Sequence, residues 1–414
     1  MTSLKRELEY IDIVLATLGY VIGAGIYAVI SVASKYGKDL TWLAVILCGV
    51  LAMCTGLSFS ELSSIFNKNG GEYFFAKAAF NEPIARIVGL SVALIEILAV
   101  TTVTFGLSNH LHTVIKIPQI ILSALILSLF SYVNYSGIRA SVNYNNVATI
   151  IEVLGLVVIG FMGLLKLDNK KLKNSLNPLL KLDKATIINL LISAALIFFS
   201  FTGFDFVIEL SEETKNATEI IPKGMITGII ISTILYFFIA LAAVTSVGWK
   251  KLSKSLTPMA DVAKNLFGGY SFNILLITAM ISMSNTILMG NVGASRFIQK
   301  MASENKFPFE LDKIDEETRT PKNAIIALTL VSFLTLALGN LENSVRFTNV
   351  LTLLLFSIVN ISAIILRSKI PDEKRKFKMP LNVNNIPIPS VIGAISSLIL
   401  AIVLYKLEDS TSSH

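Results

Sequence analysis

Apolar runs of about twenty residues or more recur from one end of this chain to the other, and nothing else in it constrains the fold as much. A helix rises about 1.5 Å per residue, so about 20 apolar residues cross the hydrocarbon core of a bilayer. Runs free of Asp, Glu, Lys and Arg cover 13–34, 40–60, 117–138, 185–204, 224–249, 265–295, 323–341, 347–366 and 379–405. Two more, 87–115 and 140–165, hold one acid each, Glu96 and Glu152. The pattern predicts an all-α integral membrane protein of about 11 transmembrane helices. An odd number of crossings puts the termini on opposite faces.

Composition agrees. The 414 residues are 53% hydrophobic and 15% charged, where soluble domains carry about 25% charged residues. That excludes a soluble enzyme or a disordered regulator. The longest polar segment, near 300–322, suits a connector and has no room for a soluble catalytic domain. A short external helix is expected over Pro258–Phe267. No cleavable signal peptide is read: the first run follows Lys5, Arg6, Glu7, Glu9 and Asp12, is too long, and lacks a small-residue cleavage site.

The net charge of +7 points to loops facing anionic lipid, and no nucleic acid partner is expected. With the N-terminus cytoplasmic, seven arginines fall inside and Arg346 alone outside, as the positive-inside rule prefers. The Lys-rich outer loop 167–184 runs against it. The plasma membrane is the expected residence. Cys48 and Cys54 share one apolar run, so no disulfide framework or metal cluster is expected. His110 and His112 stand two apart, which does not share a helix face, so no metal site is read there. The sequons at Asn134 and Asn216 fall on the cytoplasmic side, where no sugar is added.

Helix breaks carry the functional signal. The first run contains Gly19, Gly23, Ala24 and Gly25, and helix-interior glycine costs about 1 kcal/mol relative to alanine. Alone, this fits close helix packing as well as a break. The sixth run contains Phe198-Phe199-Ser200-Phe201-Thr202-Gly203-Phe204-Asp205 near mid-span. The first and sixth helices run in opposite directions. Paired breaks in two antiparallel halves are the pattern of inverted-repeat transporters. Unwound backbone at that depth is tolerated only inside protein or around a cavity. Freed N–H groups suit an anion and freed carbonyls a cation, so the site suits a zwitterion.

The chain resembles the amino acid–polyamine–organocation superfamily of permeases. The likeness is carried by LKRELEYIDIVLATLGYVIGAGIY (4–27), GLSFSELSSIFNKNGGEYFFAKAAF (56–80), NYSGIRASVNYNNVATIIEVLGLVVIG (134–160), FFSFTGFDFVIELSEETKNATEIIPKGM (198–225) and SNTILMGNVGASRFIQKMASENKFP (284–308). The resemblance implies a 5+5 inverted repeat with broken helices 1 and 6. The repeats span 1–166 and 167–370, and 371–414 hold a cytoplasmic loop, helix 11 and a polar tail. It implies a substrate carboxylate on the amides of Gly23, Ala24 and Gly25, and an amine near the carbonyls of Val21 and Ile22. Phe199, Ser200, Phe201, Thr202 and Gly203 form the helix 6 side, with Phe204 flanking the break.

Two departures from the superfamily pattern matter. Many members have twelve helices, so family-style dimer contacts do not carry over. Glu152 stands where some proton-coupled members carry lysine, so their coupling mechanism does not carry over either. A charge near mid-bilayer costs at least about 2.5–3.5 kcal/mol, which makes Glu152 a functional candidate. It reads as an H⁺ carrier, as a Na⁺ ligand with Ser282 or Ser284, or as a structural hydrogen-bonded acid. Glu96 and Asp205 read as gating or structural acids, with Glu209 beside Asp205. Thr348, Asn349, Thr352 and Asn360 either line the pathway or bridge helices.

The expected function is amino acid transport by alternating access, coupled to H⁺ with Na⁺ as the alternative. An amino acid or polyamine exchanger and a non-transporting sensor are the rivals. No cofactor, no catalytic residue and no disulfide-linked accessory subunit are expected.

Overall fold

Helices account for nearly all of the regular structure. The computed structural model describes residues 6, 8–23, 25–66, 70–137, 139–167, 169–181, 183–305, 309–318 and 320–411. In chain order the helices are α1 (Tyr10–Val21), α2 (Ile30–Gly37), α3 (Thr41–Ile65), α4 (Gly71–Ala79), α5 (Glu82–Val114), α6 (Gln119–Ser136), α7 (Arg139–Leu165) and α8 (Asn169–Leu176). There follow α9 (Lys184–Ile197), α10 (Ala217–Ser246), α11 (Trp249–Leu252), α12 (Pro258–Phe267), α13 (Gly269–Asn305), α14 (Lys322–Thr335), α15 (Leu341–Lys369) and α16 (Ile388–Thr411). The helix expected over Pro258–Phe267 is α12.

Among the described residues, nine stretches are long and apolar enough to cross a membrane. Two features separate this number from the eleven expected crossings. The stretch Tyr10–Ile65 holds 56 residues. A straight helix of that length would run about 84 Å, roughly twice a bilayer. The chain instead turns at Lys38, whose φ is 48°, and both α2 and α3 pack on α9. The other feature is α14, which stops at Thr335 in a short 3-10 turn before Gly339 at φ 82°. Asn340 then caps α15, accepting from the Asn343 N–H at 2.9 Å. The expected span 323–341 is therefore a shorter helix.

The last expected span, 379–405, also needs correction. Its helix begins at Ile388, and 379–387 are not helical. Asn382–Val383 and Ile386–Pro387 form a two-stranded hairpin with Val383 opposite Ile386. Both turn residues have positive φ, Asn384 at 48° and Asn385 at 64°. This is the two-residue turn that asparagine tolerates and most residues do not. Pro380, Pro387 and Pro389 keep the helix from starting earlier.

The bundle buries α1, α3, α5, α10, α13 and α15 against one another, with α3 on α10 and α5 on both α13 and α15. Outer helices present large apolar side chains outward, such as Leu125 and Leu129 of α6, Leu154 and Phe161 of α7, and Ile395 and Ile402 of α16. In water such a surface would aggregate; against lipid it is matched.

One ion cluster pins the hairpin segment to the bundle. Glu61 of α3 is fully buried and accepts from Arg367 Nη2 at 2.5 Å and Arg375 Nε at 3.1 Å. It also accepts from the Met379 N–H at 2.9 Å.

The connector between α13 and α14 is held by Asp315. Its carboxylate accepts from the Thr318 N–H at 2.9 Å and the Thr318 hydroxyl at 2.8 Å, and pairs with Lys322 at 2.9 Å. The Thr318 amide first, and then Lys322 and the Thr318 hydroxyl, hold this carboxyl well below the usual carboxylate range. A depressed folded pKa stabilises above the unfolded value and is lost as pH falls toward the folded one. Amide protection across 309–318 should be constant above about pH 5 and fall as pH drops below about 4, near the unperturbed aspartate value. Hydrogen exchange read across that range checks it. A loop equally protected at low pH, or an Asp315→Asn variant that still shows the acid transition, would contradict this account.

Candidate functional site

The two glycine-bearing runs are interrupted and lie against each other. α1 ends at Val21, Ile22 is extended (φ −80°, ψ 120°), and helix resumes at Gly25 as a widened turn over Gly25–Val29 leading into α2. Ala24 lies outside the described residues. α9 tightens into a 3-10 turn over Phe198–Phe201, Thr202 is extended, and Gly203 is left-handed with φ 105°. A second 3-10 segment, Phe204–Glu213, follows. A Cβ on Gly25 would lie 2.3 Å from Ser200 Cα, and one on Gly203 would lie 2.8 Å from the Tyr20 carbonyl oxygen. Only glycines permit backbones this close.

The carbonyls freed at the breaks find partners. Val21 O accepts from the Tyr236 hydroxyl at 3.0 Å, and Ile22 O from the Thr286 hydroxyl at 2.9 Å. Each keeps a second lone pair. On the sixth run, Asn349 of α15 donates to Ala195 O at 2.8 Å and Leu196 O at 3.1 Å. The Thr202 hydroxyl donates to Phe199 O at 2.9 Å. The Gly203 N–H donates to Asp205 Oδ1 at 3.1 Å.

A cavity opens between the breaks. From the breaks it takes Val21, Gly23, Gly25, Phe199, Thr202 and Gly203. The opposite wall is α5, through Ile95, Glu96, Ala99, Val100 and Val103. Asp205, Tyr20, Thr286, Thr348 and Thr352 are further polar residues of the lining. Gly23 and Gly25 stand at the N-terminal, electropositive end of a half-helix. Glu96 is 2% exposed, and its Oε2 has no hydrogen-bond partner among the described residues.

Several expected residues fall elsewhere. Phe201 packs edge-on against Tyr236 at 5.3 Å and is not part of the cavity wall. Phe204 is locked into a ring cluster with Phe59 and Phe356 at 5.9 and 5.4 Å. Ser200 is fully buried behind Gly25, its hydroxyl without a partner among the described residues. Ile22 is buried outside the wall as well. Of the α15 polar residues, Thr348 and Thr352 line the cavity. Asn349 caps the first half of the broken sixth run, and Asn360 bridges to Ser58 and Thr55 of α3. Glu209 accepts from the Gly70 N–H through both oxygens, at 2.8 and 2.9 Å. His110 and His112 each bond a backbone carbonyl, Gly106 O and Ile117 O, at 2.9 Å.

Glu152 lies outside this cavity and is fully buried on α7. The hydroxyls of Thr149 and Ser282 stand beside its carboxyl. Ser284 does not share that position: it donates to Met280 O at 2.6 Å and faces Tyr144. Sequence reading missed Tyr20, Thr286 and Thr149. Thr286 stands four residues before Gly290, on the same face of α13, and both line the cavity.

A membrane bundle with two interrupted helices meeting over a buried cavity is a solute carrier in class. A family model described as amino acid permease matches residues 8–412, and the chain belongs to that family. It is a family of transporters, not enzymes. The branched-chain amino acid permease BcaP of Bacillus subtilis (strain 168) is 28% identical over 400 residues, covering 91% of this chain and 84% of that protein. The methylthioribose transporter of the same organism is 25% identical over 419 residues, with 95% and 87% covered. The cystine/glutamate transporter of Homo sapiens is 25% identical over 422 residues, with 99% and 82% covered.

Proposed function

We propose that this chain is a secondary active permease that moves amino acids across the plasma membrane by alternating access, driven by protons through Glu152. The single observation that carries the reading is the cavity at the two breaks, with a half-helix N-terminus at Gly23 and Gly25 on its wall and the acids Glu96 and Asp205 facing it. The electropositive end suits the substrate carboxylate. The ammonium goes toward the Val21 carbonyl on the cavity wall and the acids Glu96 and Asp205. Ile95, Ala99, Val100 and Val103 make one wall apolar, which favours an aliphatic side chain. The name of the branched-chain permease relative agrees in kind.

The inverted repeat belongs to this proposal, with halves 1–166 and 167–370 and a cytoplasmic N-terminus. Helices in equivalent places of the two halves pack together, α3 with α10 and α5 with α13. That packing supports the pseudo-symmetry but leaves the repeat boundaries to experiment.

The test is uptake of a mixed set of radiolabelled L-amino acids into proteoliposomes, with and without an inward proton gradient. Uptake that rises with the gradient supports the reading. Uptake only into vesicles preloaded with amino acid makes the chain an exchanger, and binding without uptake makes it a sensor. In Glu152→Gln, stimulation by the gradient should vanish while exchange of labelled for unlabelled substrate persists. A variant whose gradient dependence matches the wild type removes Glu152 from coupling.

A further inference from the structure

A run of buried polar atoms lies between α1, α7 and α13 without partners among the described residues. Both Glu152 carboxyl oxygens, Thr149 Oγ1, Ser282 Oγ and Asn285 Oδ1 have no hydrogen-bond partner. All four residues are fully buried. Thr149 and Ser282 flank the carboxyl. Asn285 donates through Nδ2 to Asn145 Oδ1 at 3.0 Å. A Cβ on Gly19 of α1 would lie 2.5 Å from Asn145 Oδ1 and 2.6 Å from Thr149 Oγ1, so those oxygens are at most 5.1 Å apart. Asn145, Thr149 and Glu152 stand at i, i+4 and i+7 of α7, one face spanning about 10 Å.

The run reaches a second cavity. Asn145 lines it together with Leu8, Asp12, Met289, Glu213 and Arg296, at the end of the bundle where α1 begins. Ser282, Asn285 and Met289 repeat the one-face spacing on α13. The α7 face of Glu152, Thr149 and Asn145 therefore reaches that cavity at Asn145, with the bare backbone of Gly19 packed against the Asn145 and Thr149 oxygens.

Buried polar atoms are costly when unpartnered, and polar clusters of this kind are satisfied by ordered water. We propose that this file is a water-filled proton route joining Glu152 to the cavity at the α1 end, which deepens and rests on the reading of Glu152 as the coupling residue. Glu152 gives its proton to a water held by Thr149 Oγ1 and Ser282 Oγ. That water passes one of its protons to the next, held at Asn145 and Asn285. The proton leaves beside Asp12 and Glu213, and Glu152 remains as a carboxylate. Tyr27 of the Gly25–Val29 turn, Tyr236 of α10 and Tyr144 of α7 are the titratable groups facing Glu152. Of these, Tyr236 is engaged with Val21 O, and the Tyr27 hydroxyl has no partner among the described residues. In the cavity at the α1 end Arg296 holds Glu213 at 3.2 Å.

The experiment is infrared spectroscopy of the full-length protein in lipid. The C=O stretch of protonated Glu152 is assigned by its loss in Glu152→Gln, and its shift is timed after exchange into D₂O. The wild type should exchange fast. Gly19→Ala sets a methyl in the file, and Thr149→Val removes a hydroxyl at constant shape. Each should slow exchange about tenfold or more, roughly the effect of one lost hydrogen bond. Gly293→Ala, whose added Cβ meets nothing within 4 Å, is the control. If the band exchanges as fast in both variants as in the wild type, the route is wrong while Glu152 keeps its role. If no protonated Glu152 band exists at any pH, the coupling reading itself fails. Loss of the band in sodium chloride but not choline chloride would place a cation in the file and overturn the water route.

Discussion

Replacing Gly25 with alanine should abolish transport while leaving the bundle folded. The new methyl would sit 2.3 Å from Ser200 Cα, where carbon atoms pack at about 3.5–4.0 Å. The obstacle is backbone, so no side chain can rotate away. The two breaks must separate by about 1 Å or more, and both carry walls of the cavity. A misplacement of about 1 Å in a binding and reaction geometry costs on the order of 100-fold, and a loss of at least that size in initial uptake is expected. Circular dichroism should show helix content unchanged. Gly293→Ala is the matched control, because its Cβ meets nothing within 4 Å. Near-normal uptake in Gly25→Ala would mean that the two breaks do not form one site.

The largest effect on stability is expected at Glu61. Its carboxylate lies between the guanidiniums of Arg367 and Arg375, which are 2% and 1% exposed. Removing one partner of a buried ion pair leaves uncompensated charge and costs about 3–5 kcal/mol. Glu61→Ala strands two cations and the Met379 amide, so it should lower the thermal midpoint in detergent by the equivalent of that loss. Arg367 already has Nε and Nη1 without partners among the described residues. Adding Arg367→Met to Glu61→Ala should therefore restore part of the stability. A Glu61→Ala protein that melts like the wild type would show that the hairpin segment is not anchored through this carboxylate. The consequence reaches the site, because α15 carries both Arg367 and the cavity residues Thr348 and Thr352.

Much of the architecture was legible in the chain. Apolar runs set by bilayer thickness marked the helices, because a membrane demands unbroken length more than it demands any particular residue. The breaks at Gly23–Gly25 and Gly203 were legible because glycine weakens a helix wherever it stands. Boundaries set by turn chemistry were harder. The run 379–405 carries no charge, yet its first nine residues form a loop and hairpin because of three prolines and Asn384-Asn385. Absence of charge measures hydrophobicity, not helicity.

The sequence by itself determined the class: a polytopic helical membrane protein with two interrupted helices and an isolated acid deep in the fifth apolar run. Only the tertiary structure decided which side chains meet. Phe201 turned away from the cavity and Thr202 toward it, although they are adjacent in the chain. Ser282 rather than Ser284 stands beside Glu152. Tyr20, Thr286, Thr348 and Thr352 converge from α1, α13 and α15. The physical reason is that these helices are surrounded on all sides, by protein or by lipid. Their own periodicity then gives no sign of which neighbour each face will find.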